Sequence, residues 1–151
     1  MNFIDSSAKI DPSSRVWHFS VILANVEIKE NVNIASRCEI GRGSYIGKNS
    51  RIGSGVFLPP NSIIEENVFI GPNATFTDDK HPRANRDYVP RPPIIKRGAS
   101  VGAGAVILPG VIIGECAMIG AGAIVTKNVP PHSIVRCNPA VIYESFSQYY
   151  L

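Results

Sequence analysis

Large apolar side chains recur every six residues along most of this chain. From Ile4 the beat runs through Ile10, Val16, Ile22, Ile28, Ile34, Ile40, Ile46, Ile52, Leu58, Ile64 and Ile70 to Phe76; it resumes at Ile95 and passes through Val101, Ile107, Ile113 and Ile119 to Val125. Four residues after each of these positions, Phe76 excepted, stands Ala, Ser, Val or Cys, from Ala8 and Ser14 to Ala123 and Val129. A helix would place apolar residues every three or four positions, and a half-buried strand every two. Period six fits neither. It fits short strands that turn a corner every six residues, three of them making an 18-residue coil whose large and small residues point inward and stack on their equivalents above and below. The nineteen beat positions predict a parallel β-helix of about six coils, roughly 30 Å long at about 4.8 Å per strand. Gly41, Gly47, Gly53, Gly71, Gly102, Gly114 and Gly120 each follow an inward aliphatic, where a missing Cβ is expected to help the chain take the corner.

The beat breaks once. Phe76 and Ile95 stand nineteen positions apart where six would continue the coil, so thirteen extra residues leave the prism, as a solenoid corner tolerates. The organisation expected is one domain over 1–151, with coils over about 4–76 and 95–130, a loop over 77–94 and a cap over 131–151. The loop gathers Asp78, Asp79, Lys80, His81, Arg83, Arg86, Asp87, Tyr88 and Arg91 on a support stiffened by Pro82, Pro90, Pro92 and Pro93. Beyond Pro130 and Pro131 the beat ends, and "NPAVIYESFSQYYL" is expected to lie across the prism's end, hiding strand edges.

Composition narrows the function classes. A chain of 151 residues with 44% hydrophobic and 18% charged residues supports one globular core. Net charge of +3, spread along the chain, argues against a nucleic-acid groove or a membrane-binding face and suits a small anionic ligand. The opening "MNFIDSSAKID" has no signal-peptide pattern and no stretch reaches a membrane span; a cytoplasmic protein is expected. Cys38, Cys116 and Cys137 share no CxxC spacing, which suggests neither disulfides nor zinc. His18, His81 and His132 are too widely spread to suggest a metal site.

The "IGxxxxIG" repeats, with "ILPGVIIGECAMIGAGAIVTKNVPPHSIV" and "NPA", resemble the hexapeptide-repeat acyltransferases over about residues 4–140. That resemblance implies an all-β, left-handed parallel β-helix, an exception to the right-handed crossover rule. It also implies a homotrimer that binds acyl-CoA in clefts between prisms. More narrowly, "VWHF" at 16–19, "NVFIGPNATFTDDKHPRA" at 67–84 and "IIKRGASVGAGAVILPG" at 94–110 resemble the acetyltransferases that acylate the 3-amino group of nucleotide-linked amino sugars. The co-substrate implied is acetyl-CoA, and the acceptor a dTDP- or UDP-linked amino sugar.

Such chemistry needs a neutral amine, a thioester carbonyl beside it and donors for the tetrahedral oxyanion. By resemblance, Asp78 is the candidate acceptor for the amine. The family commonly has Asn there, in "FTND", whereas this chain has "FTDD", so Asp78 either orients the amine or also takes its proton. His81, in "KHP", also resembles the base of hexapeptide-repeat O-acetyltransferases acting on sugar hydroxyls; that alternative stays open, as does a non-catalytic solenoid. His18, Asp79, Arg83 and Arg91 are candidates for holding the sugar nucleotide. Trp17 either stacks on a base or packs at a subunit contact. Gly102, Ala103, Gly120, Ala121, Lys127 and Arg136 lie in the C-terminal coils, where the family holds its cofactor, the two cations suiting its anionic end.

Overall fold

The computed structural model of the chain describes residues 1–137 and 139–145, the last three by their backbone alone. Residues 138 and 146–151 of the expected cap lie outside the described residues. Nineteen two-residue strands, from Phe3–Ile4 to Ile124–Val125, each end on one of the beat residues. They form three parallel faces. The first carries the strands ending at Ile4, Ile22, Ile40, Leu58, Phe76, Ile107 and Val125, the second those from Ile10 to Ile113, and the third those from Val16 to Ile119. Up to Val106–Ile107 every strand pairs with the one a coil later, Ile28 on Ile46 and Ile34 on Ile52 among them, and Ile64 meets Ile95 across the insertion. The solenoid is therefore a stack of parallel coils.

Burial follows the beat. From Ile22 to Val125 every beat residue is buried, and so is every small partner from Ser20 to Val129. Each buried aliphatic contributes about 1.5 to 3 kcal/mol, and its neighbours in the ladder are the large apolar residues one coil away. In the first coil, which has a neighbour on one side only, Ile4 is exposed and Ile10 and Val16 are half-buried. The inward serines keep their hydroxyls satisfied: Ser20 donates to the Ala35 carbonyl at 3.0 Å and Ser50 to that of Glu65 at 3.0 Å. Among the described residues no buried side-chain nitrogen or oxygen lacks a partner, as buried polar groups require.

The corners are made by a second beat, three residues after the first. Asn25, Asn31, Arg37, Gly43, Asn49, Gly55, Asn61, Asn67 and Asn73 all have positive φ, and Gly98, Gly104, Gly110, Cys116 and Gly122 continue the row. Asn and Gly adopt this left-handed conformation at least cost. Each corner also ties to the coil below, as when Asn61 N donates to the Arg42 carbonyl at 2.8 Å and Gly43 N to that of Ala24 at 2.9 Å.

This corrects the reading of the glycines that follow the inward aliphatics. Gly41, Gly71 and Gly102 are absent from the positive-φ positions; what they supply is clearance between coils. A Cβ on Gly102 would stand 2.4 Å from Ala121 N, and one on Gly41 would stand 2.4 Å from Pro60 N.

The coil count also rises, from about six to about seven. After Val125 the phase slips: Val129 bridges to Ile113, and the strand Ser133–Arg136 then pairs Val135 with Ile119. Val129 and Val135 are buried six residues apart, two residues early relative to the old beat, so the prolines at 130 and 131 turn a corner and do not end the solenoid. Strand Val141–Ser145 then runs antiparallel to Ser133–Arg136 and covers its edge, which is where the described part of the expected cap goes.

Two contrasts test this architecture by thermal melting. Ile46 is fully buried, so Ile46→Val should cost about 1 kcal/mol and Ile46→Asp several kcal/mol, because its charge has no partner. Gly102→Ala should lower the melting temperature more than Gly104→Ala: the first meets backbone, whereas the second meets nothing within 4 Å and carries only the left-handed penalty of about 1 to 2 kcal/mol. Equal melting temperatures within either pair would refute the ladder or the clearance argument respectively.

Candidate active site

The inserted loop replaces one corner between the first and second faces. It leaves after Thr75–Phe76 and returns at Ile94–Ile95, one residue earlier than the sequence suggests. Two atoms close its base: Arg91 N donates to the Asp78 carbonyl at 2.9 Å. The chain then rejoins the stack. Gly110 N donates to the Arg91 carbonyl at 2.7 Å, the bond that other corners make to the coil below. Pro93 is buried two residues before Ile95, the inward place that Ser62 and Val111 fill in adjacent coils. The excursion is thus residues 79–90, carried on two stitched ends.

Inside the loop the acids and bases pair among themselves. Asp79 Oδ1 accepts from His81 N at 2.9 Å and from Arg86 Nη2 at 2.7 Å. The Arg86 guanidinium also donates to the His81 carbonyl, through Nε at 3.1 Å and through Nη2. Asp79 and Arg86 therefore clamp the turn that presents His81, whose side chain is exposed. Tyr88 Oη donates to Asp78 Oδ2 at 3.2 Å. The Asp78 carboxylate pushes the Tyr88 phenol above its ordinary value, because a tyrosinate there would face a like charge.

The structure gathers some of the expected site residues and separates others. Asp78, Asp79, His81, Arg83 and Arg91 share the loop; Arg83 Nη1 donates to the Pro82 carbonyl at 2.9 Å, and the Arg91 side chain is exposed at the loop's base. Lys127 follows the Ile124–Val125 strand on the same edge, on the second corner after the loop's. Gly102, Ala103, Gly120 and Ala121 lie on a different edge, between the third and first faces, in consecutive coils. Arg136 stacks above them, its Cβ 3.0 Å from the point a Gly120 Cβ would occupy. His18 is on that edge too, near the first coil, its ring 6.2 Å from that of Phe19. Within one chain it does not approach the loop.

Sequence reasoning included Tyr88 and Arg86 in the loop but gave neither a site role. The polar density of the loop marks it as a candidate site; which carboxylate each base takes depends on how twelve residues fold back, and no spacing encodes that. Among the described residues, no group of three or more His, Cys, Asp or Glu side chains gathers as metal ligands would. No helix there is long and apolar enough to cross a membrane.

A solenoid of stacked hexapeptides with one polar loop on a corner defines a class, and comparison with known proteins gives the same class. The bacterial transferase hexapeptide family (six repeats) matches residues 43–78 and 92–127, and the hexapeptide repeat of succinyl-transferase matches residues 25–59. The chain belongs to the hexapeptide-repeat transferases. A sequence search of curated proteins finds no match.

Solved structures share the fold. The chain is similar to AntD, an N-acyltransferase from Bacillus cereus solved with dTDP and 3-hydroxybutyryl-CoA, at 19% identity and a TM-score of 0.73, over 94% of this chain and 81% of that one. A maltose O-acetyltransferase from Clostridium difficile 630 aligns at 26% identity and a TM-score of 0.65, over 82% and 67% of the two chains. A variant of the GDP-perosamine N-acetyl transferase from Caulobacter crescentus, solved with CoA and GDP-perosamine, aligns at 22% identity and a TM-score of 0.55. That alignment covers 95% of this chain, which spans 56% of the length of that relative.

The Tyr88–Asp78 contact is testable by spectrophotometric titration of the phenols. The difference between wild type and Tyr88→Phe isolates this residue among the five tyrosines. Tyr88 should ionise at higher pH than an unperturbed phenol, and Asp78→Asn should bring it back down, since removing the carboxylate charge removes the cause. No downward movement in Asp78→Asn would mean the two groups do not meet.

Proposed function

We propose that the protein transfers the acetyl group of acetyl-CoA to the amino group, at C3, of a nucleotide-linked deoxy amino sugar carrying dTDP or UDP. The observation that carries this is the loop: a carboxylate, Asp78, held at the loop's base beside a phenol and presented on the rim of a hexapeptide prism. The sugar N-acyltransferases among the similar folds support the reaction class. The amine attacks in its neutral form, and Asp78 accepts one of its N–H bonds and orients the lone pair toward the thioester carbon. The new C–N bond forms as the C–S bond breaks, and the departing CoA thiolate can take the surplus amine proton.

In this reading CoA lies along the edge built from Gly102, Ala103, Gly120 and Ala121, where few side chains obstruct an extended ligand, with Arg136 of that edge and Lys127 from the loop edge of the facing copy toward its phosphates. His18, Asp79, Arg83 and Arg91 serve the sugar nucleotide, Asp79 by way of the clamp it forms with Arg86. Because loop and edge lie on different corners, the working form is a homotrimer in which one chain's loop faces another's edge. Both substrates are cytoplasmic metabolites, so a cytoplasmic enzyme is part of this proposal.

One observation favours a second reading. His81 is fixed through its main chain by Asp79 and Arg86 while its imidazole stays exposed, a suitable pose for a base acting on a sugar hydroxyl. Kinetics separate the two. For N-acetylation, Asp78→Ala should lower kcat by about 100-fold or more, and His81→Ala should change it little. For O-acetylation the order reverses, since a hydroxyl attacks only when a base removes its proton. Mass spectrometry of the products from acetyl-CoA with dTDP- and UDP-linked 3-amino and 4-amino sugars identifies the acceptor. Wild-type-like turnover in both Asp78→Ala and His81→Ala would overturn the loop as the site of chemistry.

A further inference from the structure

The third face carries a groove of about 390 Å³ across its first coils, lined by Arg15, Trp17, Asn31, Asn33, Asn49 and Arg51 among others. Strand register stacks Arg15 on Asn33 and Asn33 on Arg51, so the two arginines stand in one outward row, two coils and roughly 10 Å apart. Both are exposed, and neither forms an ion pair among the described residues. Several other cations of the prism are paired, Lys29 with Glu27, Lys96 with Glu65 and Arg97 with Glu115. No carboxylate lines the groove.

Its neutral groups are turned the same way. Trp17 Nε1 donates to Asn33 Oδ1 at 2.7 Å, and Asn31 Nδ2 donates to Asn49 Oδ1 at 3.4 Å. Each bond occupies an amide oxygen and leaves the Asn33 and Asn49 NH₂ groups as donors. The groove thus presents guanidinium and amide N–H groups, which suit an anion. The Trp17 ring, 47% exposed and oriented by its N–H bond, adds a flat apolar surface beside the cations. An extended dianion joined to a planar aromatic matches this set, and a nucleoside diphosphate has that composition.

We propose that this groove binds the nucleoside diphosphate of the sugar nucleotide, its phosphates between Arg15 and Arg51 and its base against Trp17. The proposal rests on the acceptor being nucleotide-linked, as argued under Proposed function. CoA is also a nucleotide, but the edge assigned to it lies several coils higher, so the two ligands separate by position.

Trp17 is the single tryptophan, so intrinsic fluorescence of the intact chain reports on the groove directly. dTDP or UDP should quench it saturably, pyrophosphate should compete, and thymidine should bind at least about tenfold more weakly than dTDP, having lost the charge-assisted contacts. Arg15→Gln and Arg51→Gln should each weaken dTDP by about tenfold at an unchanged melting temperature, and added salt should weaken it further. CoA should leave the signal unchanged. The assignment is overturned if dTDP and UDP do not quench, if CoA quenches as strongly as dTDP, or if the double variant keeps wild-type affinity by calorimetry. A double variant with unchanged KM for the sugar nucleotide would overturn the groove while leaving the acetyl transfer intact. Saturable, arginine-dependent dTDP binding without any acetyl transfer would support the groove and count against the acetyl-transfer reading.

Discussion

Stacking in register is the constraint on which the rest of the molecule depends. Each of the nineteen beat strands is two residues long and could not persist alone; its backbone groups are satisfied by the neighbouring coils, one 18-residue turn away. That pairing sets the inward residues directly over one another, Ile28 over Ile46 and Ile34 over Ile52, and the core is a set of apolar columns that stay in register even where the sequence phase slips, as when Val135 meets Ile119. It also brings backbone against backbone at the corners. A Cβ on Gly102 or Gly41 would lie 2.4 Å from a main-chain nitrogen of the next coil. Hydrogen bonds along the axis and clearance across it are two aspects of one spacing.

The same constraint explains how a polar excursion is carried without loss of the core. Only the two ends of an insertion need to match the stack. Here Asp78 and Arg91 close on each other, the Arg91 carbonyl takes the bond from Gly110, and Pro93 fills the small inward place. Residues 79–90 are then released from the repeat and are ordered by their own pairs, Asp79 with Arg86 and Asp78 with Tyr88. A rigid prism and a self-clamped loop are separable parts. That separability lets side chains change in the loop without effect on the register that supports them.

What the sequence disclosed follows from which features repeat. The six-residue aliphatic beat, the small residue four positions on and the single interruption are all periodic statements, and each appears in the fold at its expected place. The left-handed corner row is equally periodic, in Asn25, Asn31, Asn49, Asn61, Asn67 and Asn73 with glycines between, but the glycines beside the aliphatics offer a more obvious account of the turn and mask it. Those glycines answer to interchain-like clearance between coils, a property of stacking that one hexapeptide does not display. The slip at Val129 and Val135 is not legible as periodicity, because it breaks the period by two. Inside the loop nothing repeats, so the pairing of Tyr88 with Asp78 had no signal to carry it.

The placement of the candidate site residues bears on assembly. The loop stands on the edge between the first and second faces, whereas His18, Gly102, Gly120 and Arg136 stand on the edge between the third and first. A stacked solenoid has no hinge that could swing one edge onto another, because hydrogen bonds tie its corners from one coil to the next. A reaction that uses Asp78 together with the small-residue edge therefore draws the two from different copies of the chain. In the proposed chemistry the second copy is thus a structural requirement: it brings the thioester to the amine, and the lone prism holds each half of the site without joining them.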